Sequence, residues 1–213
     1  TKEQLDLIER FLVAYNAIDH CLREQLGVDQ NPSFSQLLRE YADRYPRWRE
    51  RENLRMIGDL RNSVVHQRER SYEYLSVPLP SIVENLERVR DQFKSPERVY
   101  PKFGKAVISF QAEDPLSMVL AEIHVKDYSQ FPIYKQGGFL GLLTENGITR
   151  WLASYSTQVM TLIELDEVTV FDLLGQEEQR PNNKFIPRDM TMLDAENFFV
   201  RNPLLEALLI THT

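Results

Sequence analysis

The chain is poor in the residues that build disulfide frameworks and metal sites: one cysteine, Cys21, and four histidines among 213 residues. A lone cysteine excludes a disulfide scaffold and a multi-cysteine zinc site, and it fits a reducing, intracellular compartment. The histidines are scattered, with no His-x-x-x-His spacing, so no metal site is expected. No apolar run approaches the roughly 20 residues that a membrane-crossing helix needs, and no charged-then-apolar leader opens the sequence. No membrane partner is expected, and the expected location is the cytoplasm. Glycine is scarce at 8 residues, while apolar side chains make up 42% and charged ones 27%, enough for one large or two small domains with cores of their own.

The net charge of −7 argues at first against nucleic acid, because phosphate contacts need a positive footprint. The charge is unevenly spread: residues 1–100 hold 16 cations and 17 anions, and residues 101–213 hold 9 and 15. Within 39–70 there are nine arginines and no lysine against six acids. Arginine offers the planar fork that suits phosphate oxygens, whereas a solvated, salt-bridged helix surface accounts for the same window without any ligand.

Hydrophobic periodicity divides the chain in two. Leu5, Ile8, Phe11, Tyr15, Ile18, Leu22 and Leu26 recur at three- and four-residue spacing, and Gly27 supplies a stop. Phe34, Leu37, Leu38 and Tyr41 mark a second helix. Leu54, Ile57, Leu60 and Val64 mark a third, with an interruption expected at Gly58-Asp59, and Ile82, Leu86, Val89 and Phe93 mark a fourth. Past Ser95-Pro96 the order becomes β-α-β-β-α: a strand at 106–110, a helix at 115–123, strands at 131–134 and 139–143 around a Gly-Gly turn, and a helix at 148–153. After an acidic connection the order restarts, with a strand at 184–187, a helix at 192–199 and a strand at 205–210. His212-Thr213 falls where the turn and third strand of a second copy would begin, so the chain is expected to be part of something longer. The expected fold class is α + α/β: an N-terminal all-α helical bundle over 2–94, a first β-α-β-β-α copy over 103–155, and a second, truncated copy over 183–213.

The segment Phe131-Pro132-Ile133-Tyr134, followed by Gly141-Leu142-Leu143-Thr144-Glu145-Asn146-Gly147-Ile148, resembles the proline-containing strand and the Gly-apolar-apolar-Thr helix start of the CBS domain family. Across 103–213 the order resembles a tandem CBS pair, which implies binding of an adenine-nucleotide-type ligand in a cleft between the copies. A glycine lets a strand backbone approach a ligand, and a hydroxyl with free amides at a helix N-terminus suits phosphate. The resemblance therefore makes Pro132, Ile133, Thr144 and Glu145 candidate ligand residues. The aspartate that the family uses on ribose falls at Gly147 here. A threonine at a strand-to-helix junction also serves simply as an N-cap.

In the helical half, Arg61-Asn62-Ser63-Val64-Val65-His66 sits in an arginine-rich helix. With 18 arginines, 4 histidines and 10 asparagines, an Arg-Asn-x-x-x-His string is expected by chance only about 0.02 times, so it is informative. It resembles the Arg-polar-x-x-x-His signature of the HEPN family, whose active members are metal-independent ribonucleases and dimers with a composite site. The resemblance implies that Arg61, Asn62 and His66 are catalytic residues, that RNA is the substrate, that no cofactor is needed for catalysis, and that the protein is a homodimer, a toxin- or defence-like effector. The residue types suit the chemistry. A histidine titrates near neutrality and serves as acid or base, and an arginine holds charge developing on a phosphorane. Asn62 and His66 lie one turn apart on one helix face, and Arg61 lies about 100° around from Asn62. In a nucleotidylated HEPN subgroup a tyrosine stands two residues after the histidine; Arg68 stands there instead. Tyr45, Trp48, Tyr72 and Tyr74 are candidates for base stacking. The alternative expectation is a non-enzymatic, dimeric ligand-sensing scaffold with a catalytically silent helical domain.

Overall fold

Residues 2–26 wind into one long helix, α1 (Lys2–Leu26), because an apolar stripe at helical period runs along it. Ile8, Phe11, Tyr15, Ile18 and Leu22 of that stripe are buried, while Leu5, a turn earlier, is 55% exposed. Gly27 ends the helix at φ 66°, a left-handed conformation that glycine adopts without strain. The computed structural model describes residues 1–28, 32–66, 68–70, 73–74, 76–155, 162–176 and 182–211.

Helix α2 (Phe34–Arg44) opens with a reciprocal cap, in which Ser33 Oγ accepts from Gln36 N–H and Gln36 Oε1 accepts from Ser33 N–H. Helix α3 (Arg51–His66) runs unbroken through Gly58, where an interruption was expected. A Cβ at that glycine would lie 3.2 Å from the Phe34 ring, so the missing side chain makes room for the start of α2 rather than ending α3. A short antiparallel pair, β1 (Arg68–Arg70) and β2 (Glu73–Tyr74), precedes α4 (Pro80–Lys94), which starts with proline at its first position. The core of this bundle joins Phe11, Ile18 and Leu22 of α1 to Leu37 and Leu38 of α2, Leu54 of α3 and Leu86 of α4. Each such fully buried side chain contributes about 1.5–3 kcal/mol. At the edge, Arg10 grips Glu87 through two parallel bonds of 3.0 and 2.7 Å, tying α1 to α4.

Strand β3 (Phe110–Gln111) is shorter than the expected 106–110, since only these two residues pair with a neighbour. It is followed by α5 (Leu116–Lys126), β4 (Gln130–Lys135), β5 (Gly138–Thr144) and α6 (Glu145–Ser154). The sheet order is β3-β4-β5, parallel then antiparallel. The β4–β5 turn holds Gln136 at φ 51° and Gly137 at φ 81°, the two left-handed residues of a tight hairpin. Helix α7 (Val170–Leu174) lies inside the acidic connection, where no element was expected. Val170 and Leu173 are buried in the core with Phe110, Leu116, Phe131, Ile133, Leu143 and Trp151. Strand β6 (Asn183–Ile186), helix α8 (Met192–Arg201) and strand β7 (Ala207–Ile210) follow, β6 and β7 pairing in parallel.

The chain divides into two units, Thr1–Val99 with Asp189–Arg201, and Tyr100–Arg188 with Asn202–Thr213. The segment expected to form a second copy over 183–213 is therefore shared: α8 packs within the helical unit, and β6 and β7 belong to the other. Backbone bonds explain the first attachment, Val99 N–H donating to the Met190 carbonyl and Met192 N–H to the Glu97 carbonyl. Leu193 packs against the helical core, and the Tyr45 hydroxyl donates to Asp194 at 2.9 Å. The expected turn at His212-Thr213 lies outside the described residues.

Candidate functional site

The Arg61-Asn62 part of the motif is set by the way α3 meets the core. Leu54, Ile57 and Val64 face inward and are buried, and Arg61, four residues after Ile57 and three before Val64, falls on that same face. It is half-buried, and Asn62 is exposed. Arg61 Nη1 donates to Asn62 Oδ1 at 3.3 Å, and the guanidinium lies 5.6 Å from the centre of the Tyr15 ring on α1. Burial pushes the Tyr15 phenol up to about 12; Asp19 adds to this, while Arg61 and Arg23 oppose it. The phenol is therefore neutral near neutral pH and offers its ring to the arginine. Tyr15 is 46 positions from Arg61, and no local pattern signals that pairing.

His66 is the last residue of α3, four positions after Asn62 on the same continuous helix; its side chain lies outside the described residues. Arg39, Arg47, Arg49 and Arg51 of the arginine-rich window are exposed and make no ion pair among the described residues. Arg55 is bound to Glu52 at 3.0 Å, and Arg44 donates to the Gln25 carbonyl at 2.7 Å. Tyr45 and Trp48, expected to stack on bases, are partly buried. Both pack on the helical core: Tyr41 lies 4.8 Å from Tyr45 and 4.7 Å from Trp48, and the Tyr45 hydroxyl is held by Asp194. Tyr72 lies outside the described residues.

In the second unit, Pro132 and Ile133 are buried in β4, the middle strand. Proline is tolerated because β3 pairs only with Ile133 and Tyr134, which leaves Pro132 beyond the end of that short ladder. Thr144 ends β5 and caps α6: its Oγ1 accepts from Gly147 N–H at 3.1 Å, and the residue is 2% exposed. Glu145, next in the chain, is exposed, and its N–H donates to the Ser129 carbonyl. A Cβ on Gly141 would meet Leu174 of α7 at 3.5 Å, so that side chain lies over the glycine. Asn182, 7% exposed, donates to the Leu142 carbonyl at 3.4 Å and accepts through its own carbonyl from Glu206 and Ala207, joining β5 to the β6–β7 pair. Pro132, Ile133, Thr144 and Glu145 thus come together around the β4–β5–α6 junction.

Among the described residues, no helix is long and apolar enough to cross a membrane. No protein-family model matches the chain, and no curated protein matches it. Solved structures with which it shares similarity include CBS-domain chains. One is a CBS domain-containing protein of unknown function from Kribbella flavida DSM 17836, with 13% identity and a TM-score of 0.37 over 46% of this chain and 75% of that one. Another is the CBS domain of a membrane protein from Sphaerobacter thermophilus, with 13% identity and a TM-score of 0.41 over 57% and 82%. A third is the CBS domain of a bacterial CNNM/CorC family Mg2+ transporter in complex with ATP, with 17% identity and a TM-score of 0.34 over 50% and 67%. All three TM-scores lie below 0.5, too distant a likeness to carry function.

Proposed function

We propose that the chain is a metal-independent endoribonuclease of the HEPN type, acting as a homodimer, with the second unit serving as a CBS-type regulatory module for an adenine nucleotide. The supporting observation is the Arg61–Asn62 hydrogen bond on an uninterrupted α3 that carries His66 one turn further on. In the proposed reaction the RNA 2′-hydroxyl attacks the adjacent phosphate and loses its proton to a base. The P–O5′ bond breaks and the leaving oxygen takes a proton from an acid, giving a 2′,3′-cyclic phosphate and a 5′-hydroxyl. His66 of one protomer and its symmetry mate would supply base and acid, Arg61 would neutralise the phosphorane oxygens, and Asn62 would orient the histidine or the substrate. Pro132, Ile133, Thr144 and Glu145 would line the nucleotide site, and the nucleotide would act by binding active and inactive dimers unequally.

One observation favours a second reading, the non-enzymatic dimeric sensor: Arg61 lies over Tyr15 and serves the packing of α1 on α3. Arg61→Ala and Asn62→Ala separate the two. The nuclease reading expects each to lower the cleavage rate of single-stranded RNA in chelator-containing buffer, Arg61→Ala by about a hundredfold or more. The sensor reading expects a loss of stability in Arg61→Ala and no cleavage by the unaltered chain.

A further inference from the structure

Away from both candidate sites, the helical unit holds a pocket of about 600 Å³, in the range that encloses small organic molecules. It opens where the end of α2, the end of α4 and the start of α8 meet, all inside the first unit. Four aromatic side chains, Tyr41, Tyr45, Trp48 and Phe93, form part of its lining, and the acids Glu97, Asp194 and Glu196 form another part. Arg44 is its only lining cation among the described residues, and that guanidinium is already engaged by the Gln25 carbonyl.

Three of the charged side chains in the lining are acids and one, Arg44, is a cation. The Tyr41 hydroxyl spends its proton on Gln25 Oε1 and the Tyr45 hydroxyl spends its own on Asp194 Oδ1, both at 2.9 Å. Both phenol oxygens are left with lone pairs to offer. Burial raises the affinity of both phenols for their protons and Asp194 adds to it, while Arg44 opposes it at both and Arg201 at Tyr45, so the rings are neutral. The start of α8 lines the pocket, yet it is a poor anion site. Met192 N–H is bonded to the Glu97 carbonyl, Asp194 N–H to Thr191 Oγ1, and the Asp194 carboxylate faces that same turn. Arg44 displays the matching mode of binding, its guanidinium lying 5.7 Å from the Tyr45 ring centre.

We infer that this pocket binds a small organic cation, an ammonium or guanidinium carried on an apolar body, with the aromatic rings around the body and the carboxylates around the charge. Three probes of one shape test it on the full chain: 2-phenylethylammonium, the neutral 2-phenylethanol and the anionic 3-phenylpropionate. The readout is the indole N–H resonance of Trp48, with Trp151 of the other unit as an internal control. At up to about 10 mM the ammonium should shift the Trp48 resonance saturably, and the alcohol should bind about tenfold more weakly. The Glu97→Gln/Glu196→Gln double variant replaces two exposed carboxylates by amides of the same shape, and it should weaken the ammonium by about three- to tenfold while leaving the alcohol unchanged. An unmoved Trp48 resonance with the ammonium, equal affinity for the alcohol or the anion, or an unchanged ammonium affinity in the double variant each overturns the inference.

Discussion

Replacing the Thr144 hydroxyl separates its two proposed uses, helix cap and phosphate contact, and the size of the effect follows from its surroundings. Oγ1 accepts from the buried Gly147 amide, and the side chain is 2% exposed. Thr144→Val keeps the branched shape and strands that amide, which should cost about 1 kcal/mol, the usual value of an N-cap and the low end for a buried unsatisfied donor. Thr144→Ser keeps the oxygen and loses one buried methyl, about 0.8 kcal/mol. Thr144→Ala loses both, about 2 kcal/mol. Urea unfolding followed by fluorine NMR of 5-fluorotryptophan at Trp151, which is buried in α6, reads the unit concerned. A valine variant within about 0.3 kcal/mol of the unaltered chain would refute the cap as a stabilising contact. Repeating the series with ATP addresses the second use. A phosphate contact through this hydroxyl predicts that Ser keeps the ATP-induced stabilisation and Val loses it, and equal stabilisation in both would contradict it.

Two further outcomes follow from local geometry. The β4–β5 turn holds two left-handed residues, Gln136 at φ 51° and Gly137 at φ 81°. Gln136→Asn should raise stability by about 0.5 kcal/mol and Gly137→Ala lower it by about 1 kcal/mol; urea midpoints that move the opposite way would contradict the turn assignment. The Arg10 guanidinium holds the Glu87 carboxyl below the ordinary carboxylate range, chiefly through their hydrogen bond. A depressed carboxyl stabilises the fold above its unfolded pKa and stops doing so as pH falls through the folded value. The stability gap between the unaltered chain and Glu87→Gln should therefore be present at about pH 7 and close below about pH 4. A gap that is the same at both pH values would show that the ion pair contributes nothing.

Periodicity made the helical bundle legible because α1 to α4 each bury one stripe. Ile8, Phe11, Tyr15, Ile18 and Leu22 are core for the same reason that they are three and four residues apart. Gly58 misled because a helix glycine can mark either a break or a close approach, and only the position of Phe34 decides. Helix α7 carried a signal, Thr169 three residues before Asp172, whose side chain accepts from the Thr169 N–H, but five residues are too few to show a period. Strand β3 lies later than the apolar run at 106–110 suggests, because apolar runs do not fix register; its partner does. Tertiary pairings left no trace at all in the sequence. Tyr45 and Asp194 are 149 positions apart, and no local pattern signals the contact between them. The candidate sites followed a similar division. Arg61, Asn62 and Thr144 could be picked out from local strings, whereas Tyr15 under Arg61 and Leu174 over Gly141 depend on chain segments that only folding brings together.

In the proposed reaction Arg61, Asn62 and His66 cut RNA through its own 2′-hydroxyl. The most direct test is single-turnover cleavage, in excess EDTA, of a single-stranded RNA and of the same oligonucleotide with 2′-deoxy sugars, by the unaltered chain and by His66→Ala. The account predicts cleavage of the RNA alone, products ending in 2′,3′-cyclic phosphate and 5′-hydroxyl, and loss of at least about a hundredfold in rate on removing His66. Cleavage of the deoxy strand, or an undiminished rate in His66→Ala, would contradict it.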